Sequence, residues 1–181
     1  MSHTQIAVLA AAAVLVFWMV GAYNRLVALR NAIGAGWQHV DEVLRQRGAA
    51  IVPLVAALRE PLAAEHGALE ALLAAERQVR GAADALGARP VMASLAAAFV
   101  GAEAGMASAS SRLLALITQQ PELGASDAVA PHRKVLEETA ARLAFARQLF
   151  NDAAGAYNAA ARQFPTRLLV RLYGFGTAGR I

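Results

Sequence analysis

The chain has 181 residues, enough for one domain of ordinary size plus at most one accessory segment. Hydrophobic residues make up 57% of it and charged residues 17%. That balance is too apolar for a disordered chain and high for one surrounded wholly by water, so part of the excess belongs in a membrane. There is no Cys, which excludes disulfide frameworks, thiol nucleophiles, Cys-ligated zinc and lipoprotein anchoring together while leaving the redox compartment open. The net charge of +4 says little until the arginines are placed, because Lys134 is the sole lysine.

From Ile6 to Ala22 the chain reads IAVLAAAAVLVFWMVGA without a charge. As a helix this run reaches roughly 26 Å, close to a thin hydrocarbon core of about 27–30 Å. It predicts one transmembrane helix, with Ile6, Val14, Phe17, Trp18 and Ala22 among the spanning residues and Tyr23 at the interface. A cleaved signal peptide competes, since Val20-Gly21-Ala22 offers small residues for cleavage. Against it, no Arg or Lys precedes the run and bulky Phe17-Trp18-Met19 crowds the cut. A buried core helix ranks third, for want of surrounding chain. Arg25, Arg30, Arg45 and Arg47 follow the run closely. Because Arg and Lys stay on the cytoplasmic side, residues 1–23 should be an outer tip and a single span, with the rest in the cytoplasm.

Ala is about a quarter of the residues and strand signals are weak, whereas spacings of three and four recur. One seam runs Leu26, Leu29, Ile33, Gly36, Val40, Val43; a second Leu62, Leu69, Leu72, Val79, Ala83, Leu86, with Glu65 and Glu76 interrupting. A third runs Met92, Leu95, Phe99, Ala102, Met106, Ala109, Leu113, Leu116, and a fourth from Leu136 through Leu143, Phe150 and Tyr157 to Phe164. Breaks bracketed by Pro53 and Pro61, at Gly87–Pro90 and in a long loop from Gln120 to Asp127 divide the chain into helices over about 5–52, 62–87, 91–119 and 131–163, with Pro53 either kinking or ending the first. The expected fold is all-α: an N-terminal transmembrane helix continuing into an elongated antiparallel bundle of about four helices over 24–163. Gly101 and Gly105 are expected to let helices approach closely.

Catalytic and ligand motifs are mostly rejected. Gly174-Phe175-Gly176-Thr177-Ala178-Gly179 is a literal GxGxxG, but it has neither a preceding strand nor a following helix to receive a pyrophosphate. His3, His39, His66 and His132 lie on separate segments without paired ligand spacing. Glu65-His66, Asp41-Glu42 and Glu137-Glu138 are neighbours that point about 100° apart on a helix, and suit solvated faces or surface ion pairs. No Glu-x-x-His occurs, which removes di-iron bundle chemistry. The arginines are mostly interspersed with acids and no basic block interleaves with aromatics, so nucleic acid is not an expected partner.

The segment 164–181 is the exception. Past Asp152 there is no acidic side chain, while Arg162, Arg167, Arg171 and Arg180 alternate with Phe164, Tyr173 and Phe175 among aliphatic residues. Such a stretch suits a membrane interface or a short helix closing the bundle. If the helices alternate in direction, the fourth returns it to Tyr23 and Arg30. Tyr23, Arg25, Arg30, Arg167, Arg171, Tyr173 and Phe175 are therefore candidate interface residues.

Tyr23–Asn31 with Trp37 and Asp41, Arg45-Gln46-Arg47 and Ile51–Val55, and later Glu138-Thr139, Arg142–Arg147, Asn151-Asp152, Tyr157-Asn158, Phe164-Pro165 and Leu172–Phe175 form ordered blocks. In content and spacing they resemble the two signature regions of the LemA family of bacterial membrane proteins. The resemblance implies a single-pass protein of the cell (inner) membrane with a long-helix bundle and no known enzymatic activity, some relatives being associated with membrane organisation.

The function expected is that of a non-enzymatic, membrane-anchored scaffold that self-associates or binds envelope proteins, without cofactor or small-molecule substrate. An adaptor or regulator of a membrane protease or transporter is the rival, and a sensor with a polar pocket ranks third. Trp37 is a candidate contact, as are Tyr157 and the polar positions Asn24, Asn31, Asp41, Asn151 and Asn158, the asparagines chiefly for bonds between helices.

Overall fold

The computed structural model describes residues 2–164, 166–167, 170 and 176–181, and among these it contains five α-helices and no strand. The first, α1 (His3–Leu58), starts from a reciprocal cap. Gln5 N–H donates to Ser2 Oγ at 3.4 Å and Ser2 N–H to Gln5 Oε1 at 3.0 Å. The helix does not stop near Val52 but passes through Pro53. A proline removes one intrahelical bond and costs about 3 kcal/mol. Ile51, Leu54, Val55 and Leu58 are all buried around it, and burying side chains of that size is worth about 1.5–3 kcal/mol each, so packing carries the helix to the residues just before Pro61.

A 3₁₀ turn over Ala63–Glu65 leads into α2 (His66–Ala88), and Arg89, held out of the helical region as the residue before Pro90, separates it from α3 (Ala93–Thr118). The loop after α3 carries a helix absent from the expected set, α4 (Pro121–Ala125), with Pro121 in its first turn, where a missing N–H costs nothing. Last comes α5 (Ala130–Arg162). It ends because Gln163 turns extended and Phe164 precedes a proline, so Phe164 is 73% exposed instead of closing the fourth seam. Met92, at the start of the third, is likewise exposed, as the extended residue capping α3.

The four long helices alternate in direction. Along α1 and α5, Arg25 meets Gln163, Gly36 touches the backbone of Phe150, and Arg142 bonds Gln46. Along α1 and α2, Asp41 meets Arg80 and Arg47 meets Glu76. The close pairs are α1 with α5, α2 with α3 and α1 with α2, whereas α3 and α5 do not pack closely. At the centre the Trp37 ring meets Phe99 and Phe150 edge-on, centroids 5.3 and 6.0 Å apart. Gly101 and Gly105, expected to serve close packing, are exposed with no neighbour within 4 Å of an added Cβ. The face of α3 turned inward carries Phe99, Glu103 and Met106 instead.

Candidate functional site

The chain divides α1 into two unlike halves. Residues 2–21 are exposed throughout, including Ile6, Val14, Phe17 and Trp18, while Ala22 is half-buried. This half is long and apolar enough to cross a membrane, with none of it buried in the protein. The bundle begins at Leu26, and arginines gather where the two halves meet. Arg25 Nη1 donates to Gln163 Oε1 at 3.3 Å, and the same cleft holds Trp18, Ala22, Phe164 and Thr166. Arg30 and Arg89 line a second cleft with Gly176 and Thr177. Arg162 and Arg167 are exposed nearby, the Arg167 guanidinium 5.9 Å from the centroid of the Phe164 ring. Tyr23 is 41% exposed at this junction. The remaining candidates for the interface, Arg171, Tyr173 and Phe175, lie outside the described residues.

The polar positions do not share one cavity. Asn24 is exposed on α1; Asn31 lines an open cleft beside Gly87 and Pro90. Asp41 accepts from Arg80 at 2.5 Å and pairs with Arg45 at 3.0 Å, tying α1 to α2. Trp37 is core, so its contacts are between helices and it offers no free face. Among the described residues, no group of three or more His, Asp or Glu is placed to hold a metal ion.

Asn151 and Asn158 do something other than bond helix to helix. Asn158 Nδ2 donates to the Ala178 carbonyl at 2.9 Å while its Oδ1 accepts from Ala178 N–H at 2.8 Å. Asn151 repeats the pattern with Ile181, at 2.6 and 2.8 Å. The Tyr157 hydroxyl donates to the Gly176 carbonyl at 3.1 Å, and burial pushes its pKa up, which keeps the proton on the donor. The glycine-rich stretch set aside as a nucleotide motif is thus, over residues 176–181, a segment without helix or strand that is clamped onto α5.

A second polar feature was not expected. Arg47 on α1 is 8% exposed and Glu103 on α3 is 6% exposed. They form a bidentate pair, Nη1 to Oε2 at 3.1 Å and Nη2 to Oε1 at 2.5 Å. Glu76 of α2 completes the cluster with Oε2 3.9 Å from Arg47 Nε, too far for a hydrogen bond, and both of those atoms are buried without one. Burial raises the Glu76 pKa, Arg47 lowers it, Glu103 raises it again and Arg80 lowers it, with a net upward shift. Gly48 makes room for this carboxylate, since an added Cβ would lie 2.6 Å from Glu76 Oε1. The signal was present in the sequence: Glu103 stands four after Phe99 and three before Met106, on the apolar stripe, and Arg47 stands four after Val43 and four before Ile51.

A model of the LemA family matches residues 36–180. The chain belongs to the LemA family. No match was found among curated proteins. The matched stretch takes in the bundle from Gly36 onward, the asparagine clamp and most of the segment it holds, and leaves the exposed apolar half of α1 and the first turns of the bundle outside.

Proposed function

We propose that this LemA-family chain is a non-enzymatic, membrane-anchored scaffold that self-associates or binds envelope proteins in the organisation of a bacterial inner membrane. The observation that carries the reading is the continuity of α1, one helix whose first half is exposed and apolar and whose second half is the central element of the bundle. Such a helix transmits the position of the bilayer directly to the bundle. The arginines at the junction support the orientation with the N-terminus outside and the bundle in the cytoplasm, where each Arg near an anionic leaflet contributes about 1 kcal/mol. The non-enzymatic reading draws support from the charged groups of the interior, Arg47 and Glu103, which are spent on each other and closed among helices.

The adaptor reading keeps one supporting observation, an open apolar cleft between α1 and α5 whose wall includes Phe145, 67% exposed, and Leu149. The mass of the full-length chain in mild detergent, by light scattering or mass photometry, separates the two. A discrete assembly of many copies is expected. A monomer at all accessible concentrations would overturn self-association and turn the search to partners captured at Phe145, with Phe145→Ala as the control.

A further inference from the structure

The asparagine clamp has the geometry of a peptide-binding groove. A carboxamide can donate and accept at once, and each of Asn151 and Asn158 satisfies both the N–H and the C=O of one residue of the segment, as a neighbouring strand would. The two asparagines are seven positions apart on α5, two turns on one face and about 10.5 Å of rise. The residues they hold, Ala178 and Ile181, are three apart, about 10 Å of extended chain. Helix and segment are therefore in register. The opposite wall is the start of α3, where a Cβ added to Gly179 would lie 2.6 Å from Ala96 Cβ and 2.8 Å from Ala93 Cα. Ala178 is buried and Ile181 half-buried against the core. The groove thus selects a buried small residue, then a glycine, then any residue, then an aliphatic one, and its hydrogen bonds to them run to backbone alone. Since α3 and α5 do not otherwise pack closely, the segment occupies a slot that helix-to-helix contact leaves open.

The geometry points to the α3–α5 groove as a docking site for the 176–181 segment of a second copy, so that exchange of this segment links neighbouring copies. None of the bonds depends on the segment belonging to the same chain, and every copy carries the one sequence the groove is seen to accept. Confinement to a membrane raises the effective concentration of neighbouring segments, which is what a short, backbone-held contact needs to exchange. Reciprocal exchange closes a dimer, whereas one-way donation propagates an open chain. This inference rests on the self-associating reading above and gives it a contact.

The test is complementation between two defective full-length chains. One carries Asn151→Leu and Asn158→Leu, with an intact segment and no clamp; the other carries Gly179→Leu, with an intact clamp and a segment that no longer fits. Labelled with donor and acceptor fluorophores and reconstituted at equal density in phosphatidylcholine vesicles, the mixture should show energy transfer several-fold above either variant alone. Transfer no greater than in the single variants would overturn the exchange. Wild-type vesicles give a version free of folding defects. Excess free peptide Gly-Thr-Ala-Gly-Arg-Ile should lower transfer between wild-type copies several-fold, while Gly-Thr-Ala-Leu-Arg-Ile should leave it unchanged. Equal effects of the two peptides, or none from either, would overturn the docking site. If the wild-type chain still assembles in mild detergent when these results are negative, the inference falls and the scaffold stands on another surface.

Discussion

Two polar features stand out in a mostly apolar interior, and they are built on opposite principles. In the middle of the bundle Arg47, Glu76 and Glu103 bring charges from α1, α2 and α3 into contact, where desolvation costs several kcal/mol per ion and only mutual pairing offsets it. At the end beside the apolar half of α1, Asn151, Asn158 and Tyr157 use neutral groups to hold a backbone. Neutral groups lose little when separated and rehydrated, because net hydrogen-bond contributions are about 0.5–1.5 kcal/mol each. The comparison teaches that the first feature locks three helices into one arrangement and the second is suited to opening.

The comparison breaks first at Glu103. Glu103→Ala should destabilise the full-length chain by about 3–5 kcal/mol, since it strands a buried guanidinium, read as a large drop in the denaturant midpoint in detergent. Replacing the whole cluster, Arg47→Met with Glu76→Gln and Glu103→Leu, should recover most of that loss, and failure to recover it would mean that the cluster contributes net stability. At the clamp, Asn158→Ala should cost only about 1–2 kcal/mol for its two bonds. Hydrogen exchange should accelerate around residues 176–181 and not in α1. A loss at Asn158 as large as at Glu103 would place the clamped segment inside the cooperative core and remove the contrast.

The bundle and the long exposed apolar half of α1 were legible because both announce themselves by pattern. Seams such as Leu69, Leu72, Val79, Ala83 and Leu86 are buried along their whole length, and prolines and glycines mark the turns. Whether Pro53 ends or kinks the first helix was open in the sequence, because the answer sets its local cost against the burial around it, a balance that only packing decides. The charge cluster was half legible. Arg47 and Glu103 each sit on an apolar stripe, but nothing local says that stripes 56 positions apart will face each other. Asn151 and Asn158 were picked out as polar positions near the end of the chain, yet their bonds run to a segment without helical periodicity. Such a segment is held by backbone bonds, which leave no trace in side-chain pattern beyond Gly179.

The smallest effect expected is a slope in pH, and it falls on the charged feature alone. The Glu76 pKa is raised from 4.5, by burial first and then by Glu103, with Arg47 and Arg80 opposing. The folded chain therefore holds the Glu76 proton more tightly than the unfolded chain does. Stability gained from that proton is fully present below the ordinary carboxylate value and is lost as pH rises through the raised one. Unfolding midpoints should therefore fall as pH is raised above 4.5, and the Glu76→Gln variant should flatten that part of the profile, because glutamine keeps the shape and cannot take up the charge. Asn158→Ala, which carries no titrating group, should shift the whole curve down without changing its slope. A Glu76→Gln curve parallel to the wild type would mean that Arg47 compensates the carboxylate fully, and that the mid-bundle cluster is as indifferent to protons as the clamp.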